Sequence, residues 1–575
     1  MSSIIKSLDK RSGITYVYES VAYWDKEEHQ SRAHRVLIGK IDPATGEMIP
    51  TGGRGNRRKQ RLKNIENKPK PKTGPVPSIK TERVFYGATY LFDEIGKLTG
   101  VTEDLKTCFP DTYKQILSIA YYLILEDQNP LFRFSKWDKL HRHPYGNDIP
   151  SQRSTEVFRS ITEEQKMHFF RLQAKRRIEK EYWAYDSTSV SSYSEMLRQV
   201  KYGKNKDDEH LPQINVSLIF GEKSMLPFYY RKIAGNIPDV KTINELVREL
   251  DVLGYSKIKL VMDRGYYSTD NINSLYKDHY RFVVGANTTL SYARDYIREI
   301  GTDRDNPEHY NSDYELFIFS KTISWNYEQE RSYKGVVIKD DRRMYLHLYF
   351  NPDKQADDAK LFAKRLELLR QEILTDKRIP EHEKEYSKYF AIKETPKRGI
   401  SVTYRQDAIS KARERYGFFV IISNEVKDPI TALSIYRMRD VVEKAFWNVK
   451  ERLNLRRALT SSESSLDGKL FVEFVALIYL SYIKKKMEDA GLFSKYTMQQ
   501  LLDELDVIEC YVEPGKAPIQ GEVLTKQEEI YGNLSAQKFP LIQCRNFLIR
   551  ANDSSLISCS ILQASFSAVS WLTPS

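Results

Sequence analysis

The stretch Asp428 to Leu453, DPITALSIYRMRDVVEKAFWNVKERL, reads as one long amphipathic helix. Asp428 is a natural N-cap and Pro429 suits the first helical position, so the start is well marked. At about 100° per residue, Tyr436, Arg439, Glu443 and Lys450 fall within about 60° of one another, on one face. Ile435, Met438, Val442, Ala445, Phe446, Val449 and Leu453 form a neighbouring apolar stripe that would pack this helix on a core. Its polar face presents one carboxylate flanked by two cations and a phenol.

Working outward, the chain turns β in character from residue 182. YWAYDSTSV is followed by QINVSLIF and LPFYYRKIAGN, then the helix TINELVREL, the strand KIKLVMDRGYYS, the helix NINSLYK and the strand RFVVGAN. Asp186 sits inside the first strand. Asp263 ends the strand Lys257 to Met262, just before Gly265. Aspartate is depleted from strands, and its burial needs pairing or a metal, so Asp186 is expected to have a chemical task.

The spacing Tyr436, two residues, Arg439, three residues, Glu443, six residues, Lys450 resembles the YREK signature of DDE transposases from bacterial insertion sequences. The surroundings of Asp186 and Asp263 also look like that family's. The resemblance implies a multidomain α/β protein with a ribonuclease H-like catalytic core, and strands, helix, strand, helix, strand is the order such a mixed sheet requires. It implies that Asp186, Asp263 and Glu443 are catalytic and hold Mg2+, for which Mn2+ can substitute. Two such cations about 3.5 to 4 Å apart serve an in-line phosphodiester displacement, and magnesium takes oxygen ligands. Tyr436, Arg439 and Lys450 are poor magnesium ligands, so they are expected to grip DNA, Arg439 by a forked contact and Lys450 as a point charge.

Asp263 and Glu443 lie 180 positions apart, more than a compact core requires. The segment between them has strand patterns of its own (YELFIFSK, YKGVVIKD, RMYLHLYF) and a charged helix from Asp353 to about Leu374, which suggests an inserted, largely β subdomain. YGFFVIISN, residues 416–424, reads as the strand that returns to the core. Farther on, Leu470 to Ile483 is too short for a membrane span and contains Glu473, so a buried helix is expected there.

At 575 residues the chain exceeds one core. Its net charge of +12 and pI of about 9.0, with acids still plentiful, suit a folded protein with basic surfaces and a polyanionic partner. Residues 54–72 carry nine basic residues against one acidic. Arg57, Arg58, Lys59 and Arg61 are its densest part, and such a run is expected to be an extended linker that sits on phosphates. Four cysteines without CxxC spacing argue against a zinc site or a disulfide framework. With no apolar signal core and no membrane-length run, a cytoplasmic location is expected. His141 and His143, two apart and before a proline, read as surface or packing residues.

The expected organisation is a small β-hairpin region (1–53), a basic Pro-containing linker (54–85), and a mainly helical region that binds DNA ends (86–180). The core then has a first part (181–289), a β-rich insertion (290–414) and a second part (415–490). A helical region (491–537) and a Ser-rich tail of atypical character (538–575) follow. The function implied is a transposase that binds terminal inverted repeats, cleaves the ends and joins them to target DNA as a homodimer. The rivals are a ribonuclease H-like nuclease that never joins strands, and a non-catalytic DNA-binding protein derived from a transposase.

Overall fold

The computed structural model describes residues 2–51, 82–127, 129–176, 181–194, 196–207, 209–254, 258–330, 337–395, 399–453, 455–460, 462–513 and 519–534. The basic run with Arg57, Arg58, Lys59 and Arg61, and the tail 538–575, lie outside them. The chain forms two compact units, Met1–Lys80 and Thr81–Ser575.

In the first unit the expected hairpin is the middle of a larger sheet. β2 (Thr15–Asp25) and β3 (Gln30–Ile41) pair antiparallel, and β1 (Ser2–Leu8) and β4 (Met48–Pro50) flank them in the order β1-β2-β3-β4. Tyr23, Trp24 and Val36 remain exposed.

The second unit is built on a nine-stranded mixed sheet. Its centre comprises β6 (Trp183–Ser191), β7 (Gln213–Gly221), β8 (Pro227–Ala234), β9 (Lys259–Met262) and β10 (Arg281–Ala286). β6 with β9 and β9 with β10 are parallel, and β6, β7 and β8 form an antiparallel meander. Every residue of β6 and β7 is buried, as expected for strands covered on both faces. Helix Thr269–Lys277 makes the crossover that a parallel β9–β10 pair needs.

β16 (Phe418–Ser423) returns antiparallel beside β10, as its sequence suggests. The strands of 290–414 differ from expectation. β11 (Tyr310–Asn311), β12 (Leu316–Glu330) and β13 (Val337–Phe350) form no sheet of their own; β13 pairs with β16 and extends the central sheet. The reason is visible in β13: Met344 to Phe350 are all buried, and a run apolar on both faces must be sandwiched. The rest of the segment is mainly helical, with Pro352–Leu374 closing a small core against the hairpin β14 (Phe390–Thr395) and β15 (Gly399–Tyr404).

Helices Gly87–Leu98, Tyr113–Leu125, Ser151–Ser160 and Glu163–Lys175 surround the buried helix Glu463–Asp489. Thr162 and Gln165 form a capping box at the start of Glu163–Lys175. The long helix starts before Leu470 because Ser462 caps it, accepting from the Ser465 N–H. β5 (Glu82–Phe85) pairs with β17 (Glu509–Val512), which also pairs with β18 (Ile519–Gln520), so the 86–180 region and the C-terminal helices share one core. His141 and His143 are buried packing residues: His141 bonds to the Trp137 carbonyl and Asp506, and His143 to Ser118 and Asp138. Among the described residues no helix is long and apolar enough to cross a membrane, and Cys108 and Cys510 are free thiols.

The stretch 428–453 is not one uniform helix. It runs as Pro429–Arg437, a tight turn at Met438 and Arg439, then Asp440–Trp447 and a π turn Asn448–Arg452. Asp428 caps the start, accepting from the Thr431 N–H at 2.8 Å. At the break the hydrogen bonds shorten to i→i−3, with Arg439 N–H on Tyr436 O and Val442 N–H on Arg439 O. After Trp447 they lengthen, with Leu453 N–H on Asn448 O at 3.0 Å. Each change alters the rotation per residue, so a wheel drawn at a constant 100° loses phase after Glu443.

Candidate active site

The register of the central strands brings the two aspartates together. Tyr185 and Met262 are partners in the parallel ladder of β6 and β9, so Asp186 and Asp263 follow side by side at the carboxyl end of the sheet. That is where open α/β sheets bind ligands. Met262 is also opposite Val284 of β10, which puts Gly285 next in line. A Cβ at Gly285 would lie 2.6 Å from the Tyr436 hydroxyl, so the absence of a side chain admits the tyrosine.

Helix Pro429–Arg437 packs on one face of the sheet through Ala432, Leu433 and Ile435 against Val261, Val283 and Ile421. It thereby delivers Tyr436, whose hydroxyl donates to Asp263 Oδ1 at 2.8 Å. Arg439, at the tight turn, ion-pairs with Asp263 Oδ1, donates to the Tyr436 hydroxyl at 3.2 Å and reaches Glu443 Oε1 at 2.8 Å. Three of the four signature residues therefore meet around one guanidinium. The Glu443 side chain is 54% exposed against 13% for that of Asp186, so the third carboxylate faces solvent.

Lys450 is elsewhere. Its Nζ pairs with Asp207 Oδ2 at 2.5 Å, on the π turn that rotates it away from Glu443.

Burial raises the Asp186 carboxyl above its ordinary range, partly offset by the Lys206 ammonium 3.6 Å away. Asp263 also feels burial, yet the Arg439 guanidinium and the Tyr436 hydroxyl outweigh it and hold the carboxyl below its usual value. Tyr436 is kept protonated by burial and by the negative charge of Asp263. Burial alone would lower the Arg439 guanidinium, but its anionic neighbours raise it instead.

Sequence reasoning missed Lys206, Asp239 and Tyr266. Lys206 Nζ pairs with Asp239 Oδ2 at 2.9 Å, and the Tyr266 hydroxyl lies 3.4 Å from Asp186 Oδ1. Nothing in the spacing of KNKDDEH flags Lys206, because its partners arrive through loop folding.

The donor chemistry suits a hard divalent cation: three carboxylates, each already drawn to a positive group, Asp263 and Glu443 to Arg439 and Asp186 to Lys206. Among the described residues no three His, Cys, Asp or Glu side chains stand as a ready-made cation cluster. The guanidinium of Arg439 lies against both Asp263 and Glu443, which accounts for that.

The sequence model of the transposase DDE domain family matches residues 179–479. No curated protein matches the chain. Among solved structures, a piggyBac transposase synaptic complex with hairpin DNA is similar at 9% identity over 74% of this chain and 71% of that one, with a TM-score of 0.30. At that score the likeness carries no argument about the fold. The family match spans more than half of the 575 residues and includes Asp186, Asp263 and Glu443, and the chain belongs to the transposase DDE domain family.

Proposed function

We propose that the protein is a DNA transposase of the YREK group that binds the terminal inverted repeats of an insertion sequence, cleaves the ends and joins them to target DNA. The observation that carries this reading is the meeting of Asp186, inside β6, with Asp263, just past the carboxyl end of β9, and the tie of Glu443 to Asp263 through Arg439. The strand order β8-β7-β6-β9-β10, with only β6, β9 and β10 parallel, supports a ribonuclease H-like core.

Asp186, Asp263 and Glu443 are the residues that would hold Mg2+, or Mn2+ in its place. When bound, the metal supplies charge neutralisation at the scissile phosphate and activation of the attacking oxygen. The chain's own groups orient the site. Tyr436 and Arg439 fix the rotamer of Asp263, Tyr266 steadies Asp186, and burial of Asp186 excludes water from one side. Cations are needed along the DNA; Arg439 supplies one beside the carboxylates once a phosphate replaces its internal partners, and Lys450, on the π turn away from Glu443, supplies a point charge through the N–H donors that its pair with Asp207 leaves free. Arg57, Arg58, Lys59 and Arg61 add sequence-independent contacts. The protein works as a homodimer that holds both ends, in the bacterial cytoplasm on the nucleoid.

A strand-transfer assay tests this with end duplex, target plasmid and Mg2+. Joined products are the expected result. Cutting without joining identifies a nuclease, and binding alone identifies a non-catalytic descendant.

A further inference from the structure

We propose that Lys206 and Asp207, neighbours on the loop from β6 to β7, are positioning residues that fix Asp186 relative to the helix bearing Glu443; this rests on the transposase reading above. The loop is tied to β6 at alternate residues. The Asn205 side-chain amide donates to Ser191 Oγ at 3.2 Å, and the Lys206 N–H donates to Ser189 Oγ at 3.2 Å. Lys206 Nζ donates to the Ser187 carbonyl at 2.6 Å and to Ser187 Oγ at 2.8 Å. Contacts at 187, 189 and 191 follow the two-residue period of a strand, so the loop lies along one face of β6 in a single register.

The ammonium has three N–H donors, and Ser187 and Asp239 use them. Asp186 Oδ1, at 3.6 Å, is then held by charge and not capped by a hydrogen bond from the lysine. Asp239 is itself anchored, accepting from Ser187 Oγ at 2.5 Å. The Lys206 ammonium thus biases the orientation of Asp186 without consuming its oxygens.

The next residue faces the other half of the site. The Asp207 N–H donates to Asn205 Oδ1 at 2.7 Å, and its carboxylate takes Lys450, whose side chain is only 9% exposed. Lys450 is on the π turn that directly follows the helix of Glu443. Two adjacent residues of opposite charge therefore bridge the strand of the first carboxylate and the helix of the third. Partly buried ion pairs give little net stability for their desolvation cost, and what they do supply is geometry.

The test uses the full chain with Lys206→Met, Asp207→Asn and the double substitution. Single-turnover cleavage of an end duplex is measured at saturating DNA, together with DNA Kd, melting temperature and Mn2+ binding by electron paramagnetic resonance. Each single variant is expected to slow cleavage about 10- to 100-fold. DNA Kd should stay within about twofold, and the double variant should be no slower than the slower single, since both act through one loop. Asp207→Asn carries the test should Lys206→Met fail to fold. Undiminished rates, additive losses, or weaker DNA binding with an unchanged saturated rate would overturn the assignment. Wild-type protein that neither binds manganese nor cuts DNA sinks the transposase reading and this inference with it, whereas wild-type cutting with undiminished variants sinks the inference alone.

Discussion

Arg439 lies between the carboxylates and holds the charge balance of the site. Its guanidinium contacts Asp263 and Glu443 directly, so DNA-free protein keeps its acids paired. Replacing Arg439 by Ala should therefore raise Mn2+ affinity without DNA while reducing end cleavage, and extra magnesium should not restore the rate. Recovery to the wild-type rate at high magnesium would place Arg439 in support of the metal and not on DNA. The carboxylates themselves behave differently. Asp186→Asn, Asp263→Asn and Glu443→Gln are each expected to cut cleavage by about 100-fold or more while leaving end binding largely intact, because on the proposed reading they hold the metal and make no contact with the DNA backbone. Gel-shift and cleavage assays on the same preparations check this, and near-normal cutting by one variant removes that residue from the site.

The elements have their own constraints. Gly285 of β10 leaves room for the Tyr436 hydroxyl, since a Cβ there would also come 3.0 Å from the Arg264 N–H nitrogen. Gly285→Ala should destabilise by about 1–3 kcal/mol, as overpacking does, and the loss should shrink in a Tyr436→Phe background that lacks the crowded hydroxyl. Urea midpoints for the four proteins measure it, and equal losses in both backgrounds would refute the crowding. β13 carries His347, fully buried between Ser320 Oγ and the Val426 carbonyl. Burial pushes its imidazole below the usual range, and the same holds for His143. A group whose pKa is lowered by folding favours the native state above its unfolded value of about 6.5, and that stability is lost as pH falls from there through the folded value. The urea midpoint should drop between pH 7 and pH 5, and less steeply in His347→Gln.

On the scale of the whole molecule, charge is unevenly spread. Residues 54–72 hold nine of the chain's basic residues against one acid. Neutralising Arg57, Arg58, Lys59 and Arg61 together should weaken DNA binding and flatten its salt dependence by up to about one log unit per lost phosphate contact. Sequence preference should change little. Fluorescence anisotropy across a salt series reads the slope, and an unchanged slope means the run does not touch DNA.

The sequence by itself carried the local signals: the strands around Asp186 and Asp263, the N-cap at Asp428, the buried helix around Leu470 to Ile483 and the return strand at 418. These follow from alternation, capping chemistry and apolar run length, which act within a few residues. Tertiary structure decided what depends on distant partners. β12 and β13 joined the central sheet because Met344 to Phe350 needed cover on both faces, a demand that names no partner in advance. Lys450 turned to Asp207 because a tight turn and a π turn changed the helix phase, which no constant period can anticipate. Lys206 reached Asp186 and Asp239 across 20 and 33 positions of chain, through loop closure whose outcome is set by the register of β6 and not by any motif.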